Sequence, residues 1–286
     1  YTPETQKWVA SVYRLAKSLD PTRLVEDNSI CCGRGHTETD IQSWHAYQAG
    51  YEWDKVMDDQ SRNLFPGSQW NFEKGYVQGV QPMINSEFGN VWGYQGSTGD
   101  VDYTFDYHKS MNSFRNHPKM AGWLYTEHHD VINEWNGYYK FDRTEKETGL
   151  NAIVPGMSLL DFHSPFYLST GQEIIWAGKA GQKIKIPLHL SSLTDKAGSL
   201  SLQMSLSGTN AAGEKLNRWV KTQALTFAPW DVKALDSLVI ELPADKSINT
   251  LAFQLSDPSG KVVHRNFVHL IVEDGNTQPA KGQLIS

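Results

Sequence analysis

The chain has 286 residues, of which 39% are apolar and 20% charged, and its formal net charge is −6. This apolar content is too high for a disordered polymer, and a chain of this length can bury more than one core. No run approaches the roughly 20 continuous apolar residues of a membrane helix, so the sequence predicts a soluble protein with no membrane partner. The mild acidity argues against a nucleic-acid partner, because nucleic-acid binders normally present a basic face.

The first 145 residues alternate helical and extended patterns. Thr2 and Pro3 are suited to a helix N-cap and first turn, and apolar residues then recur at helical spacing as far as Leu19. A second helix is predicted at 103–116, and strands are predicted at 24–29, 41–47, 82–89 and 121–130. Strands separated by helices predict a parallel sheet covered by helices, so the fold class of this part is α/β.

The pattern changes near residue 145 to apolar residues at every second position, which predicts an antiparallel β-sandwich. Strands of this kind are expected around 184–190, 200–206, 238–242, 251–255 and 262–272. Trp176, Trp219 and Trp230 could bind a sugar, but a packing role is favoured and no site is assigned to them. The polar tail from residue 275 is expected to be loose.

The two cysteines, Cys31 and Cys32, are adjacent in the sequence. Neighbouring cysteines seldom bond to each other, and two thiols fall short of a structural zinc site. The compartment therefore stays unknown, with a bacterial periplasm or secretion as options. The chain opens at Tyr1 directly before a helix, and we expect it to be part of a longer polypeptide.

Candidate site residues stand at the ends of three predicted strands, which is where the chemistry of a β/α barrel lies. Glu87 ends an apolar strand, and a carboxylate there must be held by donors or used in chemistry. His45 and Tyr47 end the preceding strand on one face, from which both could donate hydrogen bonds to a carboxylate or a sugar hydroxyl.

The strand that follows carries Trp123, Tyr125 and Glu127 on one face. His128 comes next, but it and its histidine neighbour point to opposite faces of a strand, so they are poor joint metal ligands. We therefore predict no metal site and no cofactor.

Four blocks of sequence carry a resemblance to a known family: DPTRLVEDNS, DIQSWHAY, PMINSEFGN and GWLYTEHHDVINEWNGYYKFDRT. Between residues 3 and 147 the chain resembles the second half of the catalytic barrel of glycoside hydrolase family 2, which includes β-galactosidases, β-glucuronidases and β-mannosidases. The resemblance implies strands five to eight of a TIM (β/α)8 barrel over 1–148, an immunoglobulin-like β-sandwich over 149–274 and a tail over 275–286.

The resemblance also implies roles. Glu87 matches the nucleophile of a retaining β-glycosidase that acts on a β-linked carbohydrate substrate. His45 and Tyr47 match a polar pair beside it, and Tyr125 falls where members place an aromatic ring against the sugar, with Trp123 as the rival.

Glu127 and His128 lie in the same substrate-binding region, but they differ from the residues most often expected there. The acid/base Glu of the family lies on strand four, upstream of Tyr1. The implied partner is therefore an N-terminal half with strands one to four, and this chain alone is expected to be inactive. The pair Asn133 and Glu134 offers an acid/base candidate, but its place after the nucleophile favours a structural role.

Two alternatives remain open. One is a noncatalytic carbohydrate-binding or scaffold protein on the same barrel, in which Glu87→Gln would abolish no turnover. The other is a different retaining barrel glycosidase or a transglycosidase, which a competing sugar acceptor would reveal through its products.

Overall fold

The structure is a computed structural model that describes residues 1–31, 33–47, 52–89, 103–132 and 134–275. The chain divides into two compact units. The first contains Tyr1–Tyr107 and His117–Glu147, and the second contains His108–Asn116 and Thr148–Ser286. Cys32, Asn133 and nearly all of the predicted tail lie outside the described residues. No helix in the described ranges is long and apolar enough to cross a membrane.

The first unit contains a parallel sheet of three strands in the order β1-β2-β3. The described residues therefore do not form the four-stranded half-barrel that the resemblance implies. The strands are β1 (Gln42–Ala46), β2 (Met83–Phe88) and β3 (Met120–Tyr125), and the helices are α1 (Pro3–Leu19), α2 (Trp53–Asn63) and the start of α3 (Thr104–Phe114). These elements confirm the alternation of helix and strand that the sequence predicts. β3 ends five residues earlier than expected.

Helix α1 begins where its cap predicts, because the hydroxyl of Thr2 accepts a hydrogen bond from the backbone N–H of Thr5 at 3.2 Å. Only Val9 and Ala10 of α1 are buried. The other large apolar residues of the helix form an exposed row that we call the α1 stripe: Trp8 (65% exposed), Val12 (42%), Leu15 (58%) and Leu19 (77%). The face that the apolar spacing assigns to a core is therefore largely uncovered in the first unit.

The strand predicted at 24–29 is wrong, because no strand ladder forms there. Side chains hold this segment instead. Asp27 accepts hydrogen bonds from His36 Nδ1 at 2.7 Å and from the backbone N–H of Thr37 at 2.6 Å. Burial alone would raise the pKa of Asp27, but these hydrogen bonds keep it below its ordinary value. The alternating pattern of a strand does not reveal this kind of side-chain anchoring.

Cys31 is disulfide-bonded, which corrects the expectation that the cysteines stay unpaired. That expectation came from the poor geometry of adjacent cysteines, and the partner of Cys31 lies outside the described residues.

The second unit is a β-sandwich of two sheets with the orders β5-β11-β10-β7-β8 and β4-β6-β9. Its strands are β4 (Phe166–Ser169), β5 (Ile175–Gly178), β6 (Lys183–Ser192), β7 (Gly198–Asn210), β8 (Lys215–Phe227), β9 (Asp231–Glu241), β10 (Ser247–Ser256) and β11 (Val262–Val272), and two short helices precede them, α4 (Leu150–Ile153) and α5 (Leu159–Phe162). All pairings are antiparallel except that of β5 with β11.

Both sheets contribute to one apolar core, which includes Leu188, Leu202, Leu251 and Phe253. The period-two pattern predicts these inward positions correctly, because alternate residues of a strand face the same side.

The second half of α3 and the turn that follows it supply polar side chains to the same unit. Asn112 Oδ1 accepts a hydrogen bond from the hydroxyl of Tyr167 at 2.8 Å, and Arg115 Nε donates to Ser191 Oγ at 2.9 Å. The side chains of Asn112 and Arg115 are both buried, so these bonds satisfy polar groups that would otherwise be costly to bury.

Candidate functional site

The carboxyl ends of β1 and β2 bring two of the predicted site residues together. Glu87 lies opposite His45 across the parallel pair, and its Oε2 is 3.4 Å from His45 Nδ1. The Glu87 side chain is 37% exposed, whereas that of His45 is 9% exposed. The partly exposed carboxylate of Glu87 can contact a ligand from solvent, while the less exposed imidazole of His45 keeps the carboxylate in place.

An irregularity in the pairing of β1 with β2 sets the direction of these side chains. The register of β1 against β2 shifts so that Trp44 faces Asn85 and His45 faces Glu87, which leaves Ser86 as the extra residue. Such bulges redirect side chains and are frequent beside active sites.

Two serines complete the surroundings of the His45 ring. Ser29 Oγ is 2.7 Å from His45 Nε2 and 3.0 Å from Ser86 Oγ. These contacts fix the ring with its Nδ1 toward Glu87. Sequence reasoning missed both serines, although each lies inside a block that carries the resemblance.

The ends of β2 and β3 are held close together by the backbone. The Thr126 N–H donates to the carbonyl oxygen of Phe88 at 2.8 Å. A Cβ at Gly89, whose φ is +156°, would lie 2.8 Å from the Thr126 carbonyl oxygen, so only glycine allows this approach. Glu87 and Glu127 consequently lie at neighbouring strand ends.

Glu127 is the most perturbed carboxyl group of this region. Burial is the largest cause that raises its pKa to about 7, and a hydrogen bond and charge interaction with Glu134 add to the rise. The charges of Asp130 and Glu87 act in the same direction. Its Oε1 is buried and has no hydrogen-bond partner among the described residues. Glu127 can therefore carry a proton near neutral pH and donate it.

A tight turn positions Glu134 beside Glu127. The backbone N–H and C=O groups of Glu134 pair with those of Val131 at 3.0 and 2.9 Å. At the base of the turn Asp130 accepts from Lys146 Nζ at 2.7 Å, and both side chains are 2% exposed. Asp130 also accepts from the N–H of Gly137 at 2.8 Å, where an added Cβ would lie 2.3 Å from the Asp130 nitrogen. Sequence reasoning named Glu134 but not this anchor.

The candidate aromatic rings lie in a packed cluster. Tyr125 has its ring centroid 4.7 Å from that of Tyr138, 5.0 Å from Tyr107 and 5.3 Å from Phe88. Burial raises the pKa of Tyr125 far above its ordinary value. Trp123 is hydrogen-bonded to the Tyr107 side chain. Most of the Tyr125 ring surface is therefore in contact with other rings.

The remaining candidates are His128 and Tyr47. His128 is exposed, and its ring centroid is 5.1 Å from that of Tyr139. Tyr47 directly follows β1 and is half-buried, and within the described ranges no hydrogen bond joins it to Glu87. No cluster of three or more His, Cys, Asp or Glu in those ranges could hold a metal ion.

Comparison with solved structures finds glycoside hydrolases among the neighbours. The β-glucuronidase of Bacteroides uniformis is 16% identical at a TM-score of 0.36, over 96% of this chain and 31% of that one. The exo-chitosanase of Amycolatopsis orientalis is 14% identical at a TM-score of 0.40, over 60% of this chain and 18% of that one. A glycosyl hydrolase family 2 member from Bacteroides cellulosilyticus is 12% identical at a TM-score of 0.25, over 33% of this chain and 14% of that one.

No family model matches the chain, and no curated protein matches its sequence. The chain spans less than a third of the length of each of these three structures.

Proposed function

We propose that the chain carries the nucleophile of a retaining β-glycosidase, and that this nucleophile is Glu87. The observation that carries the proposal is the partly open Glu87 carboxylate at the end of a parallel strand, with its Oε2 3.4 Å from His45. A carboxylate in such a place can attack an anomeric carbon, break the glycosidic bond and form a covalent glycosyl-enzyme, which water then hydrolyses. The sequence resemblance to glycoside hydrolase family 2 supports the same role.

Retaining hydrolysis also needs a second carboxyl group about 5–5.5 Å from the nucleophile, which protonates the leaving oxygen and then activates water. We propose that this group comes from an N-terminal half of the barrel. The uncovered α1 stripe supports this partner, because exposed apolar surfaces of this kind commonly mark an interface.

Glu127 is proposed as a substrate-binding group. Its pKa of about 7 lets it donate a hydrogen bond to a sugar hydroxyl while Glu87 stays free to attack. A substitution at Glu127 can also distinguish a binding role from the acid/base role. If Glu127 were the acid/base, Glu127→Ala would lower kcat, and azide would restore turnover as a β-glycosyl azide. A binding role predicts a raised KM and no azide rescue.

Trapping tests the nucleophile. The intact protein, including any N-terminal part, is incubated with 2-fluoro β-glycosides of several sugars that carry activated leaving groups, and labelled peptides are then mapped. We expect the label on Glu87, no label in Glu87→Gln, and normal labelling in the control Glu52→Gln, whose residue is exposed. Label on another carboxylate would refute the assignment. Sugar binding with neither label nor turnover would favour the noncatalytic alternative.

A further inference from the structure

A cavity of about 320 Å³ adjoins the candidate site. His45 belongs to its wall as well as to the contact with Glu87, so the cavity and the carboxylate share one imidazole. Trp44 of β1, Gln60 of α2 and the segment with Trp70 and Asn71 form much of the remaining wall. The cavity lies entirely within the first unit.

The polar groups around this cavity are mainly hydrogen-bond donors. Trp44 is buried, and its indole N–H has no acceptor among the described residues. Gln60 Oε1 accepts from Trp70 Nε1 and Asn71 Nδ2, both at 3.1 Å. Because these bonds fix the carboxamide, the nitrogen of Gln60 remains a donor.

The charge of the wall favours an anion. Arg34 lies at the cavity and forms no ion pair in the part of the chain that the structure describes. No carboxylate is found among the described residues that line the cavity. A guanidinium group binds carboxylate and sulfate oxygens with two parallel hydrogen bonds, which a neutral hydroxyl cannot match.

Trp70 supplies an apolar surface. Its side chain is 42% exposed, and the hydrogen bond to Gln60 holds its indole edge in place. A flat ring fixed in this way can pack against the C–H face of a sugar.

We propose that this cavity is a subsite for an anionic sugar unit. The acidic group pairs with Arg34, a ring or hydroxyl oxygen accepts from the Gln60 amide nitrogen, and the sugar face packs on Trp70. Because His45 joins the cavity to Glu87, the occupant is the unit next to the bond that is cleaved. The choice of a saccharide rests on the proposed function, whereas the preference for an anion rests on the cavity alone.

Calorimetric titration of the intact protein tests the subsite. D-glucuronate, D-glucose 6-sulfate and D-glucose are each titrated into the Glu87→Gln protein, which prevents turnover. We expect either or both anions to bind at least about tenfold more tightly than glucose. A better fit for glucuronate would identify a carboxylate, and a better fit for the sulfate would identify a sulfated sugar. Equal binding of all three ligands, or no binding, would overturn the proposal.

Variants locate the binding. Adding Arg34→Gln to the Glu87→Gln protein is expected to reduce its affinity for the anions to its affinity for glucose. The control Arg23→Gln, at an exposed position, should leave the anion affinity unchanged. Trp70→Ala should weaken all binding, and Phe141→Ala, a control at a 56% exposed aromatic residue, should not. Full anion affinity in Arg34→Gln would refute the assignment. Labelling of Glu87 without anion binding contradicts the subsite alone, whereas anion binding without labelling contradicts the glycosidase alone.

Discussion

Replacing Glu134 with Gln is expected to lower the pKa of the Glu127 carboxyl group. Burial, the largest cause of the rise to about 7, persists in the variant, as do the charges of Asp130 and Glu87. The negative charge of Glu134 is lost, and its replacement is a weaker acceptor for the Glu127 proton. We expect the pKa to fall to about 6, so the protonated fraction at pH 7 should fall from about one half to about one tenth.

The measurement is a carboxyl ¹³C NMR titration of protein labelled at the glutamate δ-carbon. Glu127→Gln assigns the resonance by its disappearance, and Glu147→Gln serves as an exposed control that leaves the Glu127 midpoint unchanged. A midpoint that stays near 7 in Glu134→Gln would show that the carboxyl pair is not coupled. A parent midpoint near 4.5 would refute the perturbation itself.

The same carboxyl group has a consequence for stability. The folded chain keeps a proton on Glu127 between pH 4.5 and about 7, where the unfolded chain has released it. The folded state binds more protons in this window, so the contribution of Glu127 to stability falls as pH rises through it. Urea unfolding of Glu127→Gln should therefore show a smaller loss of stability from pH 4.5 to 7.5 than the parent. An identical pH dependence in both proteins would contradict this linkage.

Three further substitutions test the packing inside each of the two units. Lys146→Met leaves the buried carboxylate of Asp130 without a counter-charge and should destabilise the first unit by about 3–5 kcal/mol in urea unfolding. A loss of stability below about 1 kcal/mol would contradict the burial of this ion pair. Leu251→Ala should cost the sandwich about 2–5 kcal/mol, while Val239→Ala, at a 58% exposed position, should change its stability by less than about 0.5 kcal/mol. Gly137→Ala should destabilise the first unit, because the added Cβ would lie 2.3 Å from the backbone nitrogen of Asp130. The control Gly122→Ala, whose Cβ would have its nearest contact at 3.5 Å, should be tolerated. Equal stability of the two variants would argue against the close approach at Gly137.

Local patterns predicted the elements whose causes are local. The cap at Thr2 and the Pro that follows it determine where α1 begins, and strict alternation gives β10 its inward residues. The position of Glu87 at the end of β2 follows from the same kind of pattern. Each of these features depends on residues that are a few positions apart.

The rest of the site depends on contacts that are distant in sequence. The ring of His45 is oriented by Ser29 and Ser86, and the pKa of Glu127 depends on a turn that closes through Lys146. No periodicity encodes these contacts. For the same reason the sequence does not reveal the cavity, whose wall combines residues from a loop, a strand and a helix.

The second unit is discontinuous along the chain, since His108–Asn116 belongs to it although Thr148 begins its main part. A polypeptide dissected at residue 148 would lose the amide of Asn112 and the guanidinium of Arg115. Tyr167 and Ser191 would then lose partners inside the protein. Independent production of the sandwich therefore requires grafting this helical piece back, for example by circular permutation that places it ahead of the first sandwich strand.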